Sequence, residues 1–364
     1  MNIFRKRLAG AMFQVGLKPL LFASLVLCSA SFSLAQSNPG AEGNATTEES
    51  KAAPRELSGY EYRFPALGTL VSVKVYHHDL NETKKALERV EQRVLELNDI
   101  LSDYDPESET SLLTSTAVVS PQAVSEDLWA TLKASDFWYQ RTGGAFDSSM
   151  GALTRLWRKS RRSKQVPSKE RIQSALEQCG WEQVQLDVPS RKAAFKHEKI
   201  RLDFGGIGKG YIVDEAYEVL REANINCCLI NISGNMRFGD PPPGRDGWRI
   251  EIAGLKRDGP PLRRIEISNC AIATSGDLWQ FITIAGQRHS HILDPSTGYG
   301  VIGPIAATVL GESATDVDAF ATAACILPLK QIQAIAAEQE LKFLRARLDE
   351  EKGLEIAESE GFPK

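Results

Sequence analysis

The sequence predicts an α+β fold, and three observations carry that prediction. Segments of helical and of strand periodicity are interspersed without the regular β-α-β alternation that a doubly wound parallel sheet requires. The composition of the 364 residues, 42% hydrophobic and 25% charged, is that of a soluble globular protein with room for one large domain or two ordinary ones. No internal repeat of solenoid period runs through the chain.

The elements follow in order. Residues 1–35 read as an export signal: Arg5, Lys6, Arg7 and Lys18 precede an apolar run over 20–34 that closes on Ser33-Leu34-Ala35. The mature chain is therefore expected outside the cytoplasm, in the periplasm or at the outer face of the membrane. Cys28 lies inside that run, but Leu27 before it is bulkier than the residue a lipoprotein signal places there. A retained N-terminal membrane helix depends wholly on this segment staying uncleaved. Residues 36–58 are rich in Gly, Ala, Ser, Thr, Glu and Pro, have too little to bury to order themselves, and are expected to form a flexible tether. The folded domain is 59–364.

It opens near Tyr60, with residues 68–76 alternating as a half-buried strand does. Asn81 is the expected N-cap of a helix whose apolar stripe is Ala86, Leu87, Val90, Val94, Leu97 and Leu101. A second helix is expected over 125–141, with Leu128, Leu132, Phe137 and Trp138 inward, ending at Gly143-Gly144. Short strands are expected at 184–186, 193–195 and 200–202, and a helix over 211–221. Strands at 228–232, 248–252, 264–267, 271–274, 280–284, 291–293 and 306–310 come next. Helices at 316–327 and 329–340 and a strand pair at 342–348 and 354–357 close the chain.

The net charge of −4 offers no general attraction to nucleic acid or anionic lipid, so any phosphate recognition must be local. The basic stretch over 155–164 is too short for a polynucleotide track and reads as a solvated loop. Beyond Cys28 the cysteines are Cys179, Cys227, Cys228, Cys270 and Cys325, an odd set with no C-x-x-C spacing, so no disulfide framework is expected. Cys227 and Cys228 read as small buried hydrophobes.

Four stretches carry candidate chemistry. Leu202-Asp-Phe-Gly-Gly-Ile-Gly-Lys-Gly210 sets four glycines around Lys209 just before a helix. It is either a tight turn or a backbone bare enough for a phosphate or metal to approach; it matches neither Gly-x-Gly-x-x-Gly nor the P-loop pattern. Asp318 and Thr322, four apart in a helix, share one face. They either cap and pack that helix or form a hard-oxygen site suited to Mg²⁺. No zinc constellation is expected among the five histidines. Along 287–298, a strand with His289 and His291 on one face runs into Asp294-Pro295 and a glycine-closed turn, which is a polar hairpin or a site edge. Thr142-Gly-Gly-Ala-Phe-Asp147 is a bend presenting Phe146, as core or as a site wall, and the Asp147 carboxylate.

These pieces converge on a resemblance. Ala66-Leu-Gly-Thr69, Leu101-Ser-Asp-Tyr-Asp-Pro-Glu-Ser-Glu109, Thr142-Gly-Gly-Ala-Phe-Asp147 and the glycine run through Tyr211 come first. Asn231-Ile-Ser-Gly-Asn235, Ala273-Thr-Ser-Gly276, His291-Ile-Leu-Asp-Pro-Ser-Thr-Gly298 and Val317-Asp-Ala-Phe-Ala-Thr-Ala323 follow. In this order they resemble the successive blocks of the ApbE family, the FAD:protein FMN transferases. The resemblance implies a T-fold-like architecture of mixed, mainly antiparallel sheets backed by helices. It implies an Mg²⁺-dependent enzyme that splits the diphosphate of FAD, moves FMN onto a Thr or Ser hydroxyl of an acceptor redox protein and releases AMP. It further implies acceptors with exported flavin domains and a peripheral association with the membrane.

Carried over by position, the family's metal ligands fall on Asp318, Thr322 and the main-chain carbonyl of Gly206. Its FAD contacts fall on Leu67, Tyr104, Ala145, Phe146, Asp147, Asp203, Lys209 and Ile292. Leu67 stands where methionine is usual, Ser233 where the family generally has glycine, and Gly208 where alanine is common. His291 is the expected general base, since an imidazole suits proton transfer near neutral pH, with Asp294 to orient it or to serve instead. Two rival functions use the same residues: an FAD pyrophosphatase, in which water replaces the acceptor, and an exported flavin-binding protein without turnover.

Overall fold

The computed structural model describes residues 56–364 apart from positions 119, 285 and 350. The expected signal at 1–35 and residues 36–55 of the expected tether lie outside the described residues, and Ser58, expected as the tether's last residue, already opens the first strand. In chain order the first half holds β1 (Ser58–Ala66), β2 (Thr69–His77), α1 (Leu80–Leu101), α2 (Glu109–Thr116), β3 (Gln122–Ala123), α3 (Glu126–Arg141), α4 (Gly151–Ser163), α5 (Lys169–Leu176), β4 (Val184–Asp187) and β5 (Lys192–Phe195). The second half holds α6 (Gly208–Glu222), β6 (Cys228–Ile232), β7 (Asn235–Phe238), β8 (Trp248–Ile252), β9 (Arg263–Ile267), β10 (Cys270–Gly276), β11 (Phe281–Ile284), β12 (Gln287–Leu293), β13 (Gly300–Ile302), β14 (Ile305–Gly311), α7 (Ala314–Ala324), α8 (Leu329–Glu338), β15 (Lys342–Asp349) and β16 (Gly353–Glu358).

The frame is an eight-stranded sheet in the order β1-β2-β6-β7-β10-β14-β15-β16, with every neighbouring pair antiparallel. Helices α1, α6 and α7 cover one face, where Val71, Val73, Val75, Ile230 and Val309 meet Val90, Val94, Val213 and Phe320. The hairpin β8–β9 covers part of the other, closing Trp248, Ile252 and Ile265 over Phe238, Ile272, Leu310 and Leu344. Strand β14 lies between these two covers, and its residues Ile305 to Leu310 are all buried. This is why it reads as an unbroken apolar run rather than an alternation. The α+β expectation therefore holds, with antiparallel pairing throughout the named strands.

Several local expectations are corrected. Asp79, not Asn81, caps α1: its Oδ1 accepts from the amides of Asn81 (2.7 Å) and Glu82 (2.9 Å). Strand β1, with Tyr60, Tyr62 and Phe64 buried on alternate positions, precedes the strand expected at 68–76; Pro65 is tolerated there because β1 is an edge. Phe137 is 39% exposed, while Leu128, Leu132 and Trp138 are buried as expected. Residues 200–202 form no strand; Arg201 makes a single bridge to Met150. The basic stretch is not a loop but most of α4, because Leu153, Trp157 and Ser160 recur at helical spacing and bury that stripe while the charges take the other faces. Cys179, Cys227, Cys228, Cys270 and Cys325 are all free thiols.

Candidate functional site

The glycine run is a bend that rolls directly into α6. Asp203 Oδ1 accepts the Gly205 amide at 2.8 Å, and the amides of Ile207 and Gly208 both bond to Phe204 O, at 3.1 and 2.7 Å. None of the four glycines takes a left-handed φ; close approach explains them. A Cβ at Gly210 would stand 2.2 Å from Ala314 O, and one at Gly206 would stand 3.1 Å from Thr322 Oγ1 and 3.2 Å from Phe146 Cε2. The bend is thus pressed against α7 and against the 142–147 bend, which brings three of the candidate stretches to one place.

On α7 the carboxylate of Asp318 is buried. Its Oδ2 accepts the Gly210 amide at 3.0 Å and lies 3.7 Å from Lys209 Nζ. Burial pushes its pKa up, opposed by the Lys209 charge and the Gly210 bond. One turn on, Thr322 Oγ1 donates to Asp318 O at 3.1 Å and lies 3.1 Å from Ser275 Oγ. Lys209 Nζ also donates to Gly205 O at 2.7 Å. The Asp318 carboxylate thus meets the Lys209 ammonium, and the Thr322 and Ser275 hydroxyls meet beside Gly206, one turn of α7 joining the two pairs.

His291 lies on β12, where the charges of Lys209 and Arg161 both act on it. Its amide donates to Gln280 O at 3.1 Å and its Nδ1 lies 3.2 Å from that oxygen. Burial pulls its pKa down to about 4, with Arg161 and Lys209 adding to the fall and the Gln280 bond opposing it. His289 does not share this environment: the pairing with β13 shifts register between His289 and Leu293, and the His289 ring packs 6.2 Å from Tyr299 with Nδ1 3.2 Å from Gly300 O. Asp294 Oδ1 closes its own turn by accepting Ser296 N (2.8 Å) and Ser296 Oγ (2.7 Å). It lines a neighbouring cavity of about 730 Å³ together with Ala145, Asp147 and Glu182. Asp147 accepts from Ser149 N and Oγ, and burial raises its pKa.

Of the remaining predicted residues, Phe146 and Asp203 adjoin the bend at Gly205 and Gly206. Phe146 and Ile292 are buried. Asp203 pairs with Arg158 at 2.7 Å, and the Arg158 guanidinium lies 4.3 Å from the ring centroid of Tyr104, a residue 72% exposed. Leu67 sits with Gly68 in the β1–β2 turn, both at left-handed φ (56° and 67°), the geometry of a tight hairpin. The sequence model of the ApbE family matches residues 67–344.

The chain belongs to the ApbE family. It is 28% identical over 304 residues to the FAD:protein FMN transferase of Treponema pallidum, covering 79% of this chain and 83% of that protein. To the FAD:protein FMN transferase of Vibrio cholerae it is 28% identical over 303 residues, 81% of this chain and 88% of that one. Among solved structures it is similar to the apbe protein of Thermotoga maritima, with a TM-score of 0.75 and 28% identity over 83% of this chain and 97% of that chain. A variant of the flavin transferase ApbE of Vibrio cholerae matches with a TM-score of 0.74 and 25% identity, over 84% and 98% of the two chains.

Against this ApbE background, one departure has a structural meaning. Ser233, where glycine is usual, holds φ 54° in the β6–β7 turn beside Gly234, so the chain pays a small backbone cost at a position suited to glycine. Three residues that sequence reasoning passes over also shape the site. Ser275 and Arg158 have been described. The third, Asp214 on α6, grips the start of α7: it accepts from Ala314 N (2.8 Å), Thr315 N (2.8 Å), Thr315 Oγ1 (2.7 Å) and Ser313 Oγ (3.0 Å), and pairs with Arg237 at 2.9 Å. No local pattern signals a bond made a hundred residues away. Asp214→Ala is expected to destabilise the fold by about 3 kcal/mol, since it orphans several donors and one guanidinium at once; urea unfolding monitored by tryptophan fluorescence measures it. Finally, although no zinc constellation is expected, His77, His78 and Glu82 at the β2–α1 junction bring three ligand-type atoms within 4.8 Å of one another. His78 and Glu82, four apart in sequence, are the signal for it.

Proposed function

We propose that this chain is an FAD:protein FMN transferase. The acceptor's Ser or Thr oxygen attacks the FMN-side phosphorus of FAD; the new O–P bond forms as the anhydride O–P bond breaks, and AMP leaves with that bond's electron pair. Family membership and the curated relatives support the reaction. The observation that carries it to this site is the packing of Gly206 against Thr322, on the helix of Asp318 and beside Lys209.

Mg²⁺ fits the residues present. Asp318, Thr322 and the Gly206 carbonyl are hard-oxygen donors, and a buried carboxylate with a raised pKa is a group that a cation would return to its charged form. When bound, the ion would neutralise charge on the diphosphate oxygens. Lys209 adds a second positive charge to the same phosphates, and transfer from a diphosphate needs such neutralisation and in-line positioning more than covalent help. His291, neutral at pH 7 because its pKa is so low, accepts the proton of the attacking hydroxyl. Burial chiefly, with Arg161 and Lys209 adding to it, holds its basicity down in the free protein, and the charges of a bound diphosphate offset the two cations.

Two expectations follow for His291. His291→Ala slows flavin transfer by about 10²-fold with FAD binding retained; stopped reactions and FAD titration measure the two separately. In the native protein with saturating Mg²⁺, which would keep Asp318 charged, kcat/KM for FAD stays level from neutral pH down to the region of pH 4, where the free imidazole protonates, while kcat begins to fall at a higher pH. Identical acid limbs in the two profiles would contradict the assignment.

The deciding experiment is incubation with FAD, Mg²⁺ and an acceptor flavin domain, followed by intact mass analysis. Addition of one FMN mass to the acceptor is the expected result. Free FMN and AMP alone would make the protein an FAD pyrophosphatase, and unchanged FAD would make it a flavin-binding protein. We also place its work outside the cytoplasm, at the outer face of the membrane, on the strength of the charge and apolar pattern of residues 1–35.

A further inference from the structure

We propose that Arg158 is a positioning residue for FAD: it ties together, as one rigid unit, the two side chains Tyr104 and Asp203 that would meet the dinucleotide. The inference rests on the reading of the site as a flavin transferase. Arg158 projects from α4, the element that replaces the expected loop. Its Nη2 lies 2.7 Å from Asp203 Oδ2, its Nη1 pairs with Asp103 Oδ2, and its Cζ lies 4.3 Å from the Tyr104 ring centroid. The side chains of Asp103 and Asp203 are each only 8% exposed and that of Arg158 16%.

Three functions meet in this one guanidinium. It separates two carboxylates that otherwise repel each other in a desolvated space: burial and the neighbouring Asp203 both push the Asp103 pKa up, and Arg158 opposes them. It backs one face of Tyr104, whose exposed ring is left to stack on a planar ligand. It also fixes Asp203, whose other oxygen holds the Gly205 amide and so the bend at Gly206. Only a planar fork can serve two carboxylates and a ring together; a lysine ammonium can serve one of them well. Arg155, which donates to Asp103 O at 3.1 Å, and Arg161 flank the cluster without bridging it.

The test compares Arg158→Lys, Arg158→Met and the double variant Arg158→Met with Asp103→Asn, each checked for folding by thermal melting. The dissociation constant for FAD, read by flavin fluorescence without Mg²⁺ or acceptor, is expected to rise about tenfold in the lysine variant and about 100-fold in the methionine variant. KM for FAD should rise in parallel, and kcat should fall by a smaller factor than KM rises. Adding Asp103→Asn to the methionine variant should recover at least tenfold in affinity, because it removes the charge left facing Asp203. A methionine variant that binds FAD within twofold of the native protein overturns the proposal. So does a loss that Asp103→Asn fails to recover, since that is the mark of simple packing. Native protein that binds FAD but never transfers or splits it overturns the functional reading alone, and the binding measurements still decide the role of Arg158.

Discussion

Asp318→Asn is expected to fold normally and to lose flavin transfer by at least about 10³-fold. The asparagine keeps the shape of the side chain and can still accept the Gly210 amide bond that the carboxylate now takes at 3.0 Å. It cannot supply the negative charge that sits 3.7 Å from Lys209 Nζ in a pocket where the residue is 2% exposed. In so dry a place charge is worth far more than in water, and a divalent ion held by a neutral amide instead of a carboxylate binds much more weakly. The loss should therefore fall on the chemical step and should be partly offset by raising Mg²⁺. FAD consumption by chromatography and FMN addition by intact mass measure it, with thermal melting as the control for folding. Turnover within tenfold of the native rate would remove Asp318 from the mechanism. Asp318→Ala is the harsher variant, because it also leaves the Gly210 amide without its acceptor.

Gly210→Ala is expected to cost about 3 kcal/mol and to lower the melting temperature by roughly 5 °C or more. The added methyl would stand 2.2 Å from Ala314 O, 2.7 Å from Ala314 C and 2.8 Å from Thr315 Cα. All three are backbone atoms at the start of α7, so no side chain can swing aside and the two helices must part. Parting them moves Asp318 relative to the Gly206 bend, so activity should fall more than stability alone implies. Gly208→Ala is the matched control. Its methyl would meet only side-chain atoms, Phe204 Cβ at 3.3 Å and Leu101 Cδ1 at 3.8 Å, at the first position of a helix, where alanine is preferred to glycine by up to about 1 kcal/mol. It should melt at or above the native temperature. Equal melting of the Gly210→Ala and native proteins would mean that α6 and α7 are not locked in the manner described.

The two variants also mark what the chain's own pattern can and cannot say. Strands β6 and β8 match the predicted bounds residue for residue, because alternate burial on a sheet leaves a period of two in the sequence. Helix α1 shows its full stripe for the corresponding reason. Helix α4 escapes the same reasoning: its basic residues crowd the sequence, and only the sparse spacing of Leu153, Trp157 and Ser160 betrays a buried face. Short elements such as β7 and β13 offer too few residues for any period to show.

The site divides along the same line. That Asp318 and Thr322 share a face is a property of one helical turn, and that residues 202–210 are bare of side chains is a property of composition; both belong to the sequence alone, as do the ordered blocks that mark the ApbE family. Only the packed structure decides that Gly206 lies against Thr322, that Asp214 holds the start of the helix carrying Asp318, and that Arg158 joins Asp203 to Tyr104. Local dihedral preferences and periodicities act over a few residues and can be read directly. Contacts between segments a hundred residues apart arise from the burial of whole faces, and the chain records them only as glycines and charges whose reasons appear once the faces have met.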